Sequence, residues 1–472
     1  MVFKKDNNLW NSKEISETLE KEIKNDLECN AVEIDSRKVK PKSIFLAMPG
    51  TKLDGHNFLY DVVKQGVKTI IIKNSFKTSI DDLNVIKVDD VYKSLILLAK
   101  ASRKRLKSNK NIIAITGSSG KTSTKEMIGQ ALSSIGQTYI NPESFNNHVG
   151  VPYSLANMPR NTDYGVFELG MNNLNEISFL SKLVEPNIVI ITNISEAHIG
   201  NFNSIQEIIK AKVEIFDGLK SNGYILVNND HVFYQEIKEY INKLNNTNII
   251  TYGFNKNANI HLIKRTVNNI GQSIIASAYG REFKYSINLD GEHQAVNSLA
   301  VIGTLLITKS DIEKGLNKLF KASLPSGRGS RYNLIIKGKK SILIDDTYNA
   351  NPSSMIAALK SFNEIAKNKR KVLIFGEMGE LGIFSEDLHN KVYNNLINLN
   401  ISLIIFIGNK TQNLYNSCNT IIECSWSKNV YNAVNDEKLK LLMPKDCILV
   451  KGSRHMKLEI IVKHLINKFK GK

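Results

Sequence analysis

The sequence predicts an α/β fold built from three units. Three observations predict it. β-Branched runs recur at strand length, helix-like stretches separate them, and a glycine-bearing segment, TGSSGKTS at 116–123, joins one such run to a helix. Alternation of this kind marks parallel strands linked by crossover helices. A length of 472 residues suits about three domains of roughly 150 residues each.

The first unit spans residues 1–108. Apolar runs at 43–50, 67–74 and 83–90 alternate with helical stretches such as Tyr60–Gly66, which predicts a small α/β domain. The second unit, 109–325, opens with the run NIIAIT at 111–116. A helix is expected over Thr122–Ile135, stopped by Gly136. Further strands are expected at 164–169, 187–194 and 223–228, giving a central doubly wound parallel sheet. Residues 259–289 instead alternate apolar and polar residues between turn signals. They predict a small antiparallel appendage, followed by a helix over Gln294–Ile307. The third unit, 326–472, has strands at 341–346, 371–376, 403–408 and 447–452, a second Rossmann-like arrangement. Within it, Asn351 before Pro352 reads as a capped helix start.

Composition narrows the function. Hydrophobic residues make up 42% of the chain, a globular value. No run approaches the ~18 apolar residues of a membrane span, and the first residues lack the apolar core of a secretory signal. No membrane association and a cytoplasmic location are therefore expected. The four cysteines form no C-x-x-C pair and read as reduced thiols. The net charge of +18 is dispersed among Asn and Ile; its one dense run, Lys100–Lys110, has six cations and no aromatic residue. That run reads as a solvated helix end and linker. It lacks the stacking groups of a single-strand binder, so no nucleic-acid partner is expected, and the cations suit small anionic substrates.

The chemistry concentrates at 116–123. Gly117 and Gly120 let backbone N–H groups converge on a polyphosphate, and the helix N-terminus adds partial positive charge. Gly117, Ser118, Ser119, Gly120, Lys121, Thr122 and Ser123 would form this P-loop, with Lys121 on the outer phosphates and the Thr122 hydroxyl suited to Mg²⁺. Ile115 stands where the common motif begins with Gly, so the match is the shorter G-x-x-G-K-T.

Glu168 ends the 164–169 run, and His198 follows the 187–194 run. Both fall at the carboxyl edge of a parallel sheet, where ligands bind. Lys212, from sequence alone, reads as a surface helix lysine. The polar loop at 141–158 contains Asn146, Asn147 and His148, which either grip a ligand or make turns. Asp345 and Asp346 end the 341–346 strand, where a carboxylate could take a ribose hydroxyl.

These residues resemble the Mur ligases of peptidoglycan synthesis. The similarity runs through DSRKVKPKSIFLAMPGTKLDGHNF (35–58), TGSSGKTSTKEM (116–127), NNHVGVP (146–152), ELG (168–170), EAHIGNF (196–202), AKVEIF (211–216), GEHQAVNSLA (291–300), SGR (326–328), DDTYNANPSSM (345–355), GEMGELG (376–382) and KGSR (451–454). The resemblance implies an N-terminal domain for a UDP-sugar, a central one for ATP and a C-terminal one for the incoming amino component. It places Ser36 and Arg37 on the uridine-nucleotide side and Asn147 and His148 among the substrate contacts. Thr122, Glu168 and His198 fall on magnesium-site positions, and Lys212 on a lysine that many members carbamylate, which would make it a metal-binding anion and a fourth residue of that site. Lys121, His198 and Lys212 are the implied catalytic groups. Asn297 falls on the adenine contact, Asp346 on the ribose contact and Arg328 near the phosphates. In GEHQ, Gln294 stands where Asn is usual, and no role carries over to it.

The implied activity is ATP-dependent amide formation through an acyl phosphate, with ATP and Mg²⁺ as cofactors. The motifs DDTYNANP and GEMGELG fit the dipeptide-adding branch, so UDP-muramoyl-tripeptide and D-Ala-D-Ala are the expected substrates and a monomer the expected state. The alternatives are a sister Mur enzyme, a folylpolyglutamate-synthase-like ligase and, on charge alone, a nucleic-acid-dependent P-loop NTPase.

Overall fold

Ile- and Val-rich runs become strands where both faces of a sheet are covered, and the central strand shows this residue by residue. In Asn111–Thr116, Ile112 and Ala114 enter one core while Ile113 and Ile115 enter the core on the opposite face. Successive side chains of a strand point to opposite faces. The computed structural model describes residues 8–470 except 24, 51–52, 79–82, 108–109, 143–144 and 269. The dense basic run and the 35–58 and 141–158 segments thus each lie partly outside the described residues.

The fold is α/β, as expected. The described N-terminal residues hold a two-stranded pair, Trp10–Asn11 with Glu28–Cys29, and a parallel four-stranded sheet from Ala31–Glu33 through Ser43–Leu46 and Thr69–Lys73 to Asn84–Val88. Among the described residues the central sheet has nine strands. Its parallel part runs from Thr138–Ile140 at one edge through Tyr164–Glu168, Asn111–Thr116, Ile188–Ile191, Tyr224–Asn228 and Asn248–Gly253 to Ile260–Val267. The chain order reverses beside Asn111–Thr116, and the crevice at such a reversal is where open α/β sheets bind ligands.

Two expectations are corrected here. The antiparallel strands Gln272–Ala278 and Arg281–Ile287 are no separate appendage. Ile260–Val267 pairs in parallel with Asn248–Gly253, so the antiparallel strands extend the central sheet. The basic run does end helix Val91–Lys104 with Lys100, Lys104 and Lys107 exposed, but its arginines are engaged with the rest of the protein rather than solvated. Arg103, 5% exposed, donates to the carbonyls of Val184 (2.7 Å) and Glu185 (2.8 Å) at the end of helix Glu176–Val184. It satisfies carbonyls that the helix itself leaves unpaired. Arg105 donates to Leu9 O and Met158 O (2.9 Å each) and stacks 4.6 Å over Trp10.

The third sheet has six strands, in the order Ser330–Ile336, Lys339–Asp346, Cys447–Lys451, Lys371–Gly376, Leu403–Ile407, Cys424–Ser427; the first pair is antiparallel and the rest parallel. Helix Pro352–Ile365 begins as the sequence indicated, with Asn351 and Ser354 capping each other's backbone N–H groups.

Trp10 ties the N-terminal segment to the central unit. It is 1% exposed, and its Nε1 donates to Ala156 O at 3.0 Å. Trp10→Ala is expected to cost about 3–5 kcal/mol, the usual toll of emptying a buried aromatic site. Denaturant unfolding followed by circular dichroism should show the lowered midpoint.

Candidate active site

The backbone after Asn111–Thr116 turns back at Gly117 (φ +150°) and Gly120 (φ +81°), conformations that favour glycine. A Cβ at Gly117 would sit 2.1 Å from Thr192 Oγ1, and one at Gly120 2.6 Å from Asn297 Nδ2. The loop is clamped by the chain that follows strand Ile188–Ile191. Thr192 Oγ1 donates to Ser119 O (2.6 Å), Ser119 N–H to Asn193 Oδ1 (2.8 Å) and Ser118 Oγ to Ser195 O (3.0 Å). Helix Lys121–Leu132 starts at once and carries no side-chain cap, so its first N–H groups stay available for an anion.

Lys121 Nζ donates to Gly117 O at 2.7 Å. Burial pulls its pKa down, Glu168 opposes that, and the Arg328 charge adds to it. Glu168, 2% exposed, accepts from Thr122 Oγ1 (2.7 Å) and Asn146 Nδ2 (2.8 Å). Burial alone would raise its pKa. The charges of Lys121, Arg328 and Lys125 and the Thr122 bond outweigh burial and hold it below the usual carboxylate value. An ionised carboxylate beside a hydroxyl is a pair of hard oxygen donors, the chemistry that suits Mg²⁺.

Lys212 is 1% exposed, so the surface reading from sequence is overturned. It lies in helix Ile205–Val213. Burial first and the Lys121 charge second drive its pKa well below the ordinary value, against the pull of Glu168, Glu214 and Glu176.

His198 contacts the third unit. Its backbone is left-handed (φ +62°), and its Nδ1 lies 2.6 Å from Glu380 Oε2. That contact, ahead of the opposing effect of burial, lowers the Glu380 pKa. Gly200 N–H donates to Glu380 O (2.9 Å), Lys391 pairs with Glu196 (2.6 Å), and a Cβ on Gly382 would meet Gly200 Cα at 2.8 Å. Among the described residues no three of His, Cys, Asp and Glu converge as a metal cluster. Thr122 and Glu168 are joined by a hydrogen bond, and His198 pairs with Glu380.

The third unit reaches the phosphate loop. Asn351 Nδ2 donates to Ser118 O, and Asn193 Nδ2 to Ser353 Oγ, both at 3.3 Å. Arg328 stacks 3.8 Å over Tyr348. Asp346 accepts from Lys451 Nζ at 2.7 Å, and the same amine reaches Asn349 O at 3.0 Å. Asn297 is 7% exposed, beside Gly120. Ser123 Oγ makes a turn bond to Gly120 O (3.0 Å).

The remaining sequence candidates make other contacts. Ser36 O accepts from Gln65 Nε2 (3.1 Å), and the exposed Arg37 pairs with Asp35 (2.7 Å). Asn147 Oδ1 accepts from Gly150 N–H (2.8 Å), a turn bond just before helix Gly150–Ala156, and the backbone oxygen of His148 accepts from Tyr92 OH (2.9 Å). Sequence reasoning gave no role to Asn141, Asn193, Glu380 and Lys451. Asn193 and Lys451 offered one usable signal, since each sits at or just beyond the carboxyl end of a parallel strand.

Comparison with known proteins agrees with this arrangement. The chain matches the Mur ligase middle domain over residues 115–305, the Mur ligase glutamate ligase domain over 330–454 and the Mur ligase family catalytic domain over 28–110. The chain belongs to the Mur ligase family. A Rickettsia prowazekii relative, UDP-N-acetylmuramoyl-tripeptide–D-alanyl-D-alanine ligase, is 34% identical over 96% of this chain and 99% of its own. The Bacillus subtilis protein of the same name is 31% identical over 93% of each chain. The crystal structure of MurF from Acinetobacter baumannii superposes with a TM-score of 0.84 at 26% identity, covering 97% of this chain and 99% of that one.

Two outcomes test the geometry of this Mur ligase site. Gly120→Ala adds ~1–2 kcal/mol of left-handed strain and drives Asn297 aside, so the thermal shift produced by ATP should disappear while the fold persists. Lys212, with a depressed folded pKa, binds fewer protons in the folded chain than in the unfolded one. Stability should therefore rise with pH below the ordinary lysine value of 10.5. Lys212→Met should flatten that slope in melting curves recorded in CO₂-free buffers.

Proposed function

We propose that this Mur ligase joins D-alanyl-D-alanine to UDP-N-acetylmuramoyl-tripeptide at the expense of ATP, a step of peptidoglycan synthesis. The observation that carries the reading is the glycine-bent loop at 117–123, bonded through Thr122 to the ionised Glu168 and approached by Asn351 from the third unit. The relatives' names supply the substrates.

A carboxylate is a poor electrophile for an amine, and phosphorylation corrects this. The terminal carboxylate of the tripeptide attacks the γ-phosphorus, and ADP departs. The amine of the dipeptide then attacks the acyl phosphate, an amide bond forms and phosphate leaves. The protein's part is positioning and electrostatics. Lys121 and Arg328 offset phosphate charge. Gly117, Ser118, Ser119, Gly120 and Ser123 line the turn that cradles it. Mg²⁺, when bound, adds further charge neutralisation; Thr122 and Glu168 are the residues that would hold it, with His198 joining only after release from Glu380. Asp346 and Asn297 are read as ribose and adenine contacts. Ser36, Arg37, Asn147 and His148 are read as the UDP-sugar side. The neutral amine that burial favours at Lys212 is the form able to take up CO₂ as a carbamate. Contacts between the middle and third units shield the acyl phosphate from water. Units divided at 108/109 and 325/326, a monomeric state and a cytoplasmic location complete the proposal. Among the described residues no helix is long and apolar enough to cross a membrane.

Folded Lys121→Ala should form no amide, while phosphate release by the native enzyme should require UDP-muramoyl-tripeptide and quicken with D-Ala-D-Ala. Wild-type-like ligation by the variant would remove Lys121 from the mechanism. Intact-mass measurement in bicarbonate should find a CO₂ adduct on the native chain and none on Lys212→Met.

A further inference from the structure

The phosphate loop leans on two peptide groups, those on either side of Ile194. Asn193 O accepts from Ser118 N–H (2.8 Å). Ser118 Oγ accepts from Ser195 N–H (2.9 Å) and donates to Ser195 O (3.0 Å). In a trans peptide the C=O and N–H point in opposite directions. The other half of each group, Ile194 N–H in one and Ile194 O in the next, therefore faces away from Ser118. Both halves meet the same side chain: His231 Nε2 lies 2.9 Å from Ile194 N and 2.8 Å from Ile194 O.

One imidazole thus backs the two peptides that Ser118 grips from the other side. His231 follows strand Tyr224–Asn228 and is half-buried. Its Nδ1 accepts from Phe233 N–H (3.1 Å), which orients the ring. That acceptor role puts the ring proton on Nε2, where Ile194 O receives it. Burial lowers the His231 pKa, against the pull of the Ile194 carbonyl and of Glu236, and favours this neutral ring. Asn193 carries the constraint in two directions. Its Oδ1 accepts from Ser119 N–H (2.8 Å), and its Nδ2 reaches Ser353 Oγ of the third unit (3.3 Å).

We propose that His231 is a positioning residue for nucleotide binding: by fixing the backbone of Ile194 it holds Asn193 and Ser195 where they shape the loop at 117–123. The proposal deepens the ATP-dependent reading above and rests on it for the identity of the ligand.

The test is calorimetric titration of ATP with Mg²⁺ into the native protein and into three variants, with KM measured for each substrate. His231→Leu removes both ring nitrogens. His231→Asn keeps a polar atom near the place of Nδ1 and falls short of Ile194, whereas the longer amide of His231→Gln can donate to Ile194 O. ATP binding should weaken about tenfold in His231→Leu and His231→Asn, the usual effect of losing one such bond, and return to within about threefold of native in His231→Gln. KM for UDP-muramoyl-tripeptide should not move. Unchanged ATP affinity in folded His231→Leu, equal losses in His231→Asn and His231→Gln, or a matching rise in KM for the tripeptide substrate would overturn the proposal. If His231→Leu does not fold, the contrast between the two amide variants decides. A native protein that binds ATP yet makes no amide would overturn the ligase reading and leave this binding comparison intact; one that binds no ATP would overturn both.

Discussion

A buried carboxylate kept ionised is the constraint on which the site depends. Glu168 is withdrawn from water at the end of a central strand, where burial disfavours its charge. It stays negative because Lys121, Arg328 and Lys125 surround it and Thr122 donates to it. Lys125 pairs with Glu126 as well (3.4 Å), so Lys121 and Arg328 are the cations whose charge is directed at Glu168 and at a polyphosphate beside it. The depressed pKa values of Lys121 and Lys212 come first from burial and then from neighbouring positive charge.

The scaffold meets this demand with short, local means. Thr116 Oγ1 donates to Leu169 O (2.9 Å), fixing one strand end against the next. Asn141 accepts from the backbone N–H of Glu168 (2.9 Å), and Asn146 takes its free carboxylate oxygen. Four successive polar groups, on Thr192, Asn193, Ser195 and Ser118, bind the loop to the neighbouring segment. Asparagine suits these posts because one amide both donates and accepts. The Asn residues at these positions are structural.

Much of the fold could be read from the sequence because buried parallel strands are apolar on both faces. The runs 111–116, 371–376 and 447–452 could hardly be anything else. The strands Thr138–Ile140, Asn248–Gly253, Ser330–Ile336 and Cys424–Ser427 escaped notice because polar residues interrupt them and three of the four lie at sheet edges. The phosphate loop announced itself through glycine spacing. The burial of Lys212 and of Arg103 did not, since a helical lysine or arginine carries no local mark of what covers it. Nor could sequence foresee that His198 would face Glu380, because that partner lies on another unit.

The seam between the middle and third units contains a point where two glycines, Gly200 and Gly382, meet backbone to backbone. Gly200 N–H also donates to Glu380 O there (2.9 Å), and the His198–Glu380 and Lys391–Glu196 pairs flank the contact, so the seam closes on backbone at its centre and on side chains at its rim. Any larger residue at either place would act as a wedge, prising the seam apart at its narrowest gap and leaving the halves of the catalytic chamber out of register.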